Sequence, residues 1–500
     1  MNLRGKKVLV LGLGETGLAM AKWLTRQGAV VRVADSRAAP PQLEALKTAL
    51  PKVAVRTGAF VREDFTGIEL IAVSPGVPLS ESLLQEAQAR GAEIVGDIEL
   101  FARALQQFKI ASAKPDSKFK TQKVIAITGS NGKTTVTAMV GAMLRRAGMD
   151  AQVAGNISPS VLDALMAREE SGTLPQAWVL ELSSFQLETT RSLHPDAAAV
   201  LNVSEDHLDR YAGMDAYAAA KARIFAGDGL RVLNRDDAAV MAMNADTAVS
   251  VSIGLDAPRQ RTEDRGQRTD SAASVTFGLD APDNDGDFGL IVDNGITWLT
   301  QGKTRLLKTG ELQVAGLHNA ANALAALALC RALGVAMVPL LQALREFRGL
   351  PHRVEKIATI NGATYFDDSK GTNVGATLAA IRGLSEHGQR KLVLILGGDG
   401  KGQDFAPLKS AVAQHARAVV LIGRDAKLIA AAIAGDAQTG APLYFADSME
   451  AAVEKCAELS QRGDAVLMSP ACASLDMFKN YAHRAEVFVA AVDRLVKSEK

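Results

Sequence analysis

Twice within the first 135 residues an apolar run of strand length feeds a glycine-rich loop and then a helical pattern, which points to parallel sheets flanked by helices. The first instance is 6–11 entering Gly12-Leu13-Gly14-Glu15-Thr16-Gly17, followed by a second strand over 30–34 that ends at Asp35. The second is 124–128 entering Gly129-Ser130-Asn131-Gly132-Lys133-Thr134-Thr135. Apolar runs at 70–73 and 93–95 complete a small first sheet, and the polar stretch 112–122, with Lys114, Pro115, Asp116, Lys118 and Lys120, reads as a linker. Strands at 178–182 and 198–203, a strand-like pattern at 290–299 and an Ala/Leu-rich helix over 319–333 fill a second domain. After Gly349-Leu350-Pro351-His352-Arg353 the pattern restarts, with strands at 391–396, 418–422 and 465–468. The expectation is an α/β chain of three domains, at 1–108, 123–349 and 350–500. The stretch 255–287 holds eight acids, four arginines and a single aromatic, Phe277, and reads as a mobile surface insertion.

Composition narrows the function. Across 500 residues, 56 Lys plus Arg against 55 Asp plus Glu leave a formal charge of +1, so no global field draws in nucleic acid or an anionic membrane. No run of about 18 uninterrupted apolar residues occurs, which argues against a membrane span. The basic-then-apolar start, 1–13, runs into Gly14, Glu15 and Gly17 and reads as a first strand rather than a signal peptide. Cys330, Cys456 and Cys472 are too few and too widely spaced for a disulfide framework or a four-cysteine zinc site, which suits a reducing cytoplasm.

The loops carry the chemistry. Gly12, Gly14 and Gly17 with Asp35 match a dinucleotide fingerprint, in which glycines let a diphosphate approach a helix N-terminus, and Ser74-Pro75-Gly76 ends another strand of the same sheet. In 128–135, successive backbone N–H groups and the helix dipole can cradle phosphate, Lys133 can neutralise it and Thr134 can hold magnesium; ATP is the natural ligand. The generic motif wants glycine six residues before the lysine, where Ile127 stands. Glu181 follows a strand and supplies a carboxylate suited to a magnesium ion on nucleotide phosphates. Asp206-His207-Leu208-Asp209 adds a polar cluster, while Lys221 reads by composition as a solvated helix lysine. His318-Asn319-Ala320-Ala321-Asn322 opens a helix with two amides on one face, fit either to read a nucleotide or to cap. Asp367-Asp368-Ser369-Lys370-Gly371-Thr372-Asn373 is too polar for a core turn, and Gly397–Lys401 and Ser469–Ser474 also end strands.

Together with Gly96-Asp97-Ile98-Glu99-Leu100-Phe101, ELSSFQLE at 181–188 and SPACASLDMFKN at 469–480, these motifs make the chain resemble the Mur ligase family over nearly its full length. The resemblance implies a Rossmann-like N-terminal domain, a P-loop-type central ATPase domain and a Rossmann-like C-terminal domain. It further implies ATP-dependent addition of D-glutamate to UDP-N-acetylmuramoyl-L-alanine through an acyl phosphate, releasing ADP and phosphate, in cytoplasmic peptidoglycan precursor synthesis. By the same resemblance, Gly14, Thr16, Ser36, Ser74, Gly76 and Asn156 would hold the UDP substrate. Gly129, Ser130, Asn131, Gly132, Lys133, Thr134, Thr135, Asn319, Asn322, Arg353 and Asp368 would hold ATP. Thr372, Lys401, Ser474, Leu475 and Tyr481 would hold D-glutamate. Thr134 and Glu181 would bind one magnesium, and His207 with Lys221, the latter as a carbamate, a second. Lys133, His207, Lys221 and Lys370 would carry catalysis. The expected partners are these small molecules alone, with no nucleic acid, no membrane and a monomeric state. Gly371 departs from the alanine common in relatives.

Rival readings leave residues unexplained. A nicotinamide oxidoreductase uses only the first loop, and an ATP-hydrolysing switch has no need of the third domain. Another amino-acid-adding ligase of the same family, such as a folylpolyglutamate synthase-like enzyme, is the nearest alternative, and SPACASLDMFKN disfavours it.

Overall fold

The computed structural model describes residues 3–112, 122–207, 210–244, 273–314, 316–385, 390–434 and 440–498. They build three sheets. The first comprises β1 (Lys7–Leu11), β2 (Val30–Asp35), β3 (Ala54–Thr57), β4 (Leu70–Val73) and β5 (Glu93–Val95), in the order β3-β2-β1-β4-β5 and parallel throughout. The order reverses between β1 and β4, so their carboxyl ends open a crevice flanked by the first glycine loop and Ser74-Pro75-Gly76.

The second sheet has nine strands: β6 (Lys123–Thr128), β7 (Ala151–Gly155), β8 (Ala177–Glu181), β9 (Ala197–Val200), β10 (Leu230–Asn234), β11 (Ser274–Phe277), β12 (Phe288–Asp293), β13 (Ile296–Gln301) and β14 (Thr304–Lys308). Their order is β14-β13-β12-β11-β10-β9-β6-β8-β7, parallel from β7 to β12 and antiparallel beyond. Helices Lys133–Arg146 and Leu317–Ala332 share one apolar core with this sheet, Cys330 Sγ lying 3.7 Å from Met143 Sδ.

One expectation gains detail here and one is corrected. The strand-like pattern at 290–299 is the hairpin β12–β13, turned at Asn294 (φ 51°) and Gly295 (φ 75°), where both central residues are left-handed as a tight two-residue hairpin requires. Of the insertion 255–287, the portion 255–272 lies outside the described residues, but the remainder is not a mobile loop. Ser274–Phe277 is β11, paired in parallel with β10, and Phe277 is buried in the core. Asp287 accepts from the Thr276 backbone N–H at 2.6 Å, and Arg235 bridges Thr276 and Asp280. Averaging composition over 33 residues hid a four-residue strand whose apolar members need only one sheet edge to bury them. The predicted linker, 112–122, lies outside the described residues except at its ends.

The third sheet contains β15 (Glu355–Ile360), β16 (Ala363–Asp367), β17 (Leu392–Gly397), β18 (Ala416–Ile422), β19 (Leu443–Phe445) and β20 (Ala465–Met468), in the order β15-β16-β20-β17-β18-β19. Only β15 runs antiparallel to its neighbour. Every residue of β17 and β20 is buried, as a central parallel strand covered on both faces demands, which is why these runs are continuously apolar.

Specific polar contacts join the three units. At the start of helix Asp97–Ser112, Asp97 accepts from Gln186 Nε2 (2.9 Å) and Glu99 accepts from the Arg191 and Ser192 backbone N–H groups (2.7 and 2.8 Å). Phe101 packs edge-on to Trp178 at 4.9 Å between ring centroids. Toward the third unit, Asn373 Nδ2 donates to Asn131 Oδ1 (3.0 Å) and Lys401 Nζ reaches Asp206 Oδ1 (3.5 Å). Among the described residues no helix is long and apolar enough to cross a membrane.

Candidate active site

The glycines after β1 divide into two kinds. Gly12 is left-handed (φ 86°), and a Cβ on Gly17 would stand 1.9 Å from the Gly12 carbonyl oxygen, so helix Glu15–Arg26 reaches the strand only because both lack side chains. Gly14 and Gly76 are different: a Cβ on either meets nothing within 4 Å, because both face a cavity of about 500 Å³. Thr16, Ser36, Ser74 and Asn156 line the same cavity, so all six residues expected at the UDP end are brought together. Asp35, the acidic member of the fingerprint, is engaged within the chain, accepting from Leu13 N (2.6 Å) and from Arg37 N and Nε (both 2.8 Å). Burial alone would raise its carboxyl; the Arg37 side chain and these two amides outweigh that and hold it below the usual carboxylate range.

The phosphate loop after β6 is braced from behind. Gly129 (φ 151°) and Gly132 (φ 82°) take conformations that favour glycine, and helix Lys133–Arg146 begins directly after them. Asn131 N donates to Asn202 Oδ1 (2.8 Å), Asn202 Nδ2 donates back to Asn131 O (3.1 Å), and Ser130 Oγ donates to Ser204 O (3.0 Å). Lys133 Nζ folds over its own loop onto the Gly129 and Ser130 carbonyls (2.6 and 2.9 Å). Burial lowers its pKa; Glu181 and Asp206 oppose that, while Arg353 and Lys370 add to it. An anion arriving at this loop would relieve a crowd of cations.

A second cavity, about 370 Å³, lies between the second and third units. Asn131, Gly132, Thr135, Asn319, Asn322, Arg353, Asp368 and Lys370 line it, drawing most of the expected ATP residues into one place. Asn322 Nδ2 donates to Asn319 Oδ1 (3.2 Å), and a Cβ on Gly132 would stand 2.6 Å from Asn322 Oδ1. Arg353 Nη2 donates to Thr134 Oγ1 at 2.6 Å. Asp368 is buried, accepts from Ser469 Oγ (2.6 Å), and is pushed up to about 7, chiefly by burial.

Glu181 is 2% exposed at the end of β8. Its Oε1 accepts from Asn156 Nδ2 (2.9 Å), whereas buried Oε2 finds no hydrogen-bond partner among the described residues. An uncompensated buried carboxylate oxygen is costly and suits a hard divalent cation. Lys221, 1% exposed, donates to the same Gly129 carbonyl as Lys133 (3.0 Å) and lies 4.3 Å from the centroid of the Tyr217 ring; burial drives its pKa well below that of a free lysine. His207 adopts φ 57°, with Nε2 3.6 Å from Asp206 Oδ2 and its ring 4.8 Å from that of Phe185. Leu208 and Asp209 lie outside the described residues.

The residues expected to meet D-glutamate are less gathered. Thr372, Lys401, Ser474 and Leu475 stand on loops after β16, β17 and β20, and Tyr481 starts helix Tyr481–Ser498; none lines either cavity. Lys370 Nζ sits 3.7 Å from the Tyr481 ring centroid. Sequence reasoning missed several contributors. Asn202 and Tyr217 support the phosphate loop; Phe277 and Leu279, hidden in the polar insertion, wall the second cavity. Arg484 is fully buried and ties two loops together, donating to Cys472 O (3.1 Å) and Ser369 O (2.9 Å). Nothing in its amphipathic helix signals that position.

Comparisons with known proteins bear on this geometry. Family profiles match in order: the Mur ligase MurD-like N-terminal domain at residues 6–96, the Mur ligase middle domain at 127–330 and the Mur ligase glutamate ligase domain at 352–472. A relative from Nitrosospira multiformis, named UDP-N-acetylmuramoylalanine--D-glutamate ligase, is 59% identical over 98% of this chain and 96% of its own. One of the same name from Thiobacillus denitrificans is 55% identical over 99% and 98%. Among solved structures, the UDP-N-acetylmuramate-alanine ligase MurC of Thermotoga maritima shares the fold at a TM-score of 0.57 and 19% identity, covering 99% of this chain and 100% of that one. The Mycobacterium tuberculosis folylpolyglutamate synthase does so at 0.52 and 16% over 79% and 94%.

Proposed function

The chain belongs to the Mur ligase family, and from that membership we propose that it joins D-glutamate to UDP-N-acetylmuramoyl-L-alanine, driven by cleavage of ATP to ADP and phosphate. One observation carries the reading: Asn156 lines the UDP-side cavity and also donates to Glu181, the buried carboxylate beside the phosphate loop. The far end of a substrate gripped by the first sheet would thereby lie toward the terminal phosphate of a nucleotide on the second, a reading the Asn156–Glu181 contact supports.

Physical chemistry dictates the order of events. A carboxylate and an amine do not condense in water until a carboxylate oxygen becomes a leaving group. The L-alanine carboxylate attacks the γ-phosphate, giving an acyl phosphate and ADP; the D-glutamate amine then attacks the acyl carbon and a tetrahedral intermediate expels phosphate. Lys133 and the loop N–H groups offset repulsion between the attacking carboxylate and the phosphates, with Lys370 and Arg353 approaching from the third domain. Magnesium, as two ions held by Thr134 with Glu181 and by His207 with Lys221, would supply further charge neutralisation. Lys221 would join that set as a carbamate, for which a buried amine of lowered pKa is suited. The third domain, 350–500, closing on the central one, 123–349, would keep water from the acyl phosphate. We place this reaction in the cytoplasm, in a monomer, with the first domain at 1–108 holding the uridine end.

The decisive experiment measures phosphate release with ATP, magnesium, UDP-N-acetylmuramoyl-L-alanine and either isomer of glutamate. Turnover is expected with the D isomer only. Equal rates with both would refute the stereochemical assignment, and no turnover with either would refute the function.

A further inference from the structure

Three loops at the carboxyl ends of β17, β18 and β20 meet at one residue. The loops after β17 and β20 carry Lys401 and Ser474; the loop after β18 carries no residue of the proposed site, yet its Arg424 is where they join. The Arg424 guanidinium bonds Asp425 (Nε–Oδ1 and Nη2–Oδ2, both 3.1 Å) and Asp399, and its backbone N–H donates to Asp476 Oδ2 at 2.9 Å. Asp425 Oδ2 accepts from Gly400 N (2.7 Å) and Asp399 Oδ1 accepts from Lys401 N (3.0 Å). Asp399 also exchanges both backbone bonds with Ala473, next to Ser474 (3.0 and 2.8 Å). Lys401 has φ 52°, a conformation a non-glycine residue keeps only when its surroundings enforce it. The Asp399 and Asp425 bonds to the Lys401 and Gly400 amides are that enforcement, and Arg424 fixes both carboxylates. Without its cation, Asp399, Asp425 and Asp476 would leave an uncompensated negative field beside residues meant to receive a dicarboxylate.

We infer that Arg424 is a positioning residue for the incoming amino acid: it orders the loop that presents Lys401 and cancels acidic charge that would repel D-glutamate. The inference rests on the proposed placement of D-glutamate against Lys401 and Ser474. Its side chain is 57% exposed, so replacement opens no core cavity.

The test is steady-state kinetics on the full chain with Arg424→Ala and Arg424→Lys, varying each substrate in turn. Expected for Arg424→Ala is a rise of tenfold or more in KM for D-glutamate, with KM for ATP and for the UDP substrate within twofold of wild type. Arg424→Lys, which keeps the charge but loses the fork, should fall between. An unchanged KM for D-glutamate, or an equal rise in all three, would overturn the inference while wild-type turnover left the proposed reaction standing. A wild type inactive with D-glutamate would remove both.

Discussion

A lysine amine that is 1% exposed, bonded to one carbonyl and lying over an aromatic ring, has lost most of the hydration that keeps an ammonium charged. Burial therefore disfavours the charged form of Lys221, and a carboxyl group added to its nitrogen would put an anion where the proposed reaction needs a metal ligand. Lys221→Ala is expected to lose at least a hundredfold in turnover and to recover part of it in millimolar short-chain carboxylic acid. Unimpaired turnover, or loss without rescue, would remove the carbamate role. The buried Glu181 Oε2, which lacks a partner among the described residues, makes a companion case. Glu181→Gln keeps an acceptor for Asn156 and removes the charge, so magnesium should bind more weakly to the nucleotide-loaded protein, as calorimetry can measure directly.

At the scale of elements, helix Asp97–Ser112 shows how a docking contact acquires a pH dependence. Burial raises the Asp97 carboxyl from 3.8 to about 6, the bond from Gln186 only partly opposing it. Because the folded state binds this proton more tightly than the unfolded chain, the group's stabilising contribution is complete below pH 3.8 and is lost as pH rises through about 6. Asp97→Asn, which can still accept from Gln186, is expected to be more stable than wild type by about 3 kcal/mol at pH 7.5, the gap closing toward pH 4. Denaturant titrations at the two pH values check this, and a gap independent of pH would contradict it. Strand β11 supplies a second case: Phe277→Ala should cost about 3–5 kcal/mol, the usual range for emptying a buried aromatic site. A mobile insertion would lose almost nothing. β11 is hard to see in the sequence because its polar-apolar alternation, Ser274-Val275-Thr276-Phe277, spans only four residues set among eight acids and four arginines. The hairpin turn at Asn294-Gly295, by contrast, is legible from the dipeptide alone.

At the scale of the whole molecule, the second cavity belongs to neither neighbouring sheet alone, since Asn319 and Asn322 come from the central unit while Arg353, Asp368 and Lys370 come from the third. Nucleotide should therefore stabilise the assembly by mass action, about 2.7 kcal/mol at a hundredfold excess over Kd. Arg353→Ala, which removes the 2.6 Å link to Thr134, is expected to abolish most of the ATP-dependent rise in Tm while leaving the rise with the UDP substrate intact. What the amino-acid order determined by itself was local: strands feeding glycine loops, the phosphate cradle at 129–135 and the family motifs, because backbone conformation and anion binding at a helix start depend on neighbours within a few residues. What only the tertiary structure decided was environment. The burial of Lys221, the Glu181 oxygen left without a partner among the described residues, the Arg424 hub and the carbonyl clamp of Arg484 arise from chain segments tens to hundreds of residues apart. Desolvation and hydrogen-bond partnership are properties of those meetings, not of any stretch of sequence.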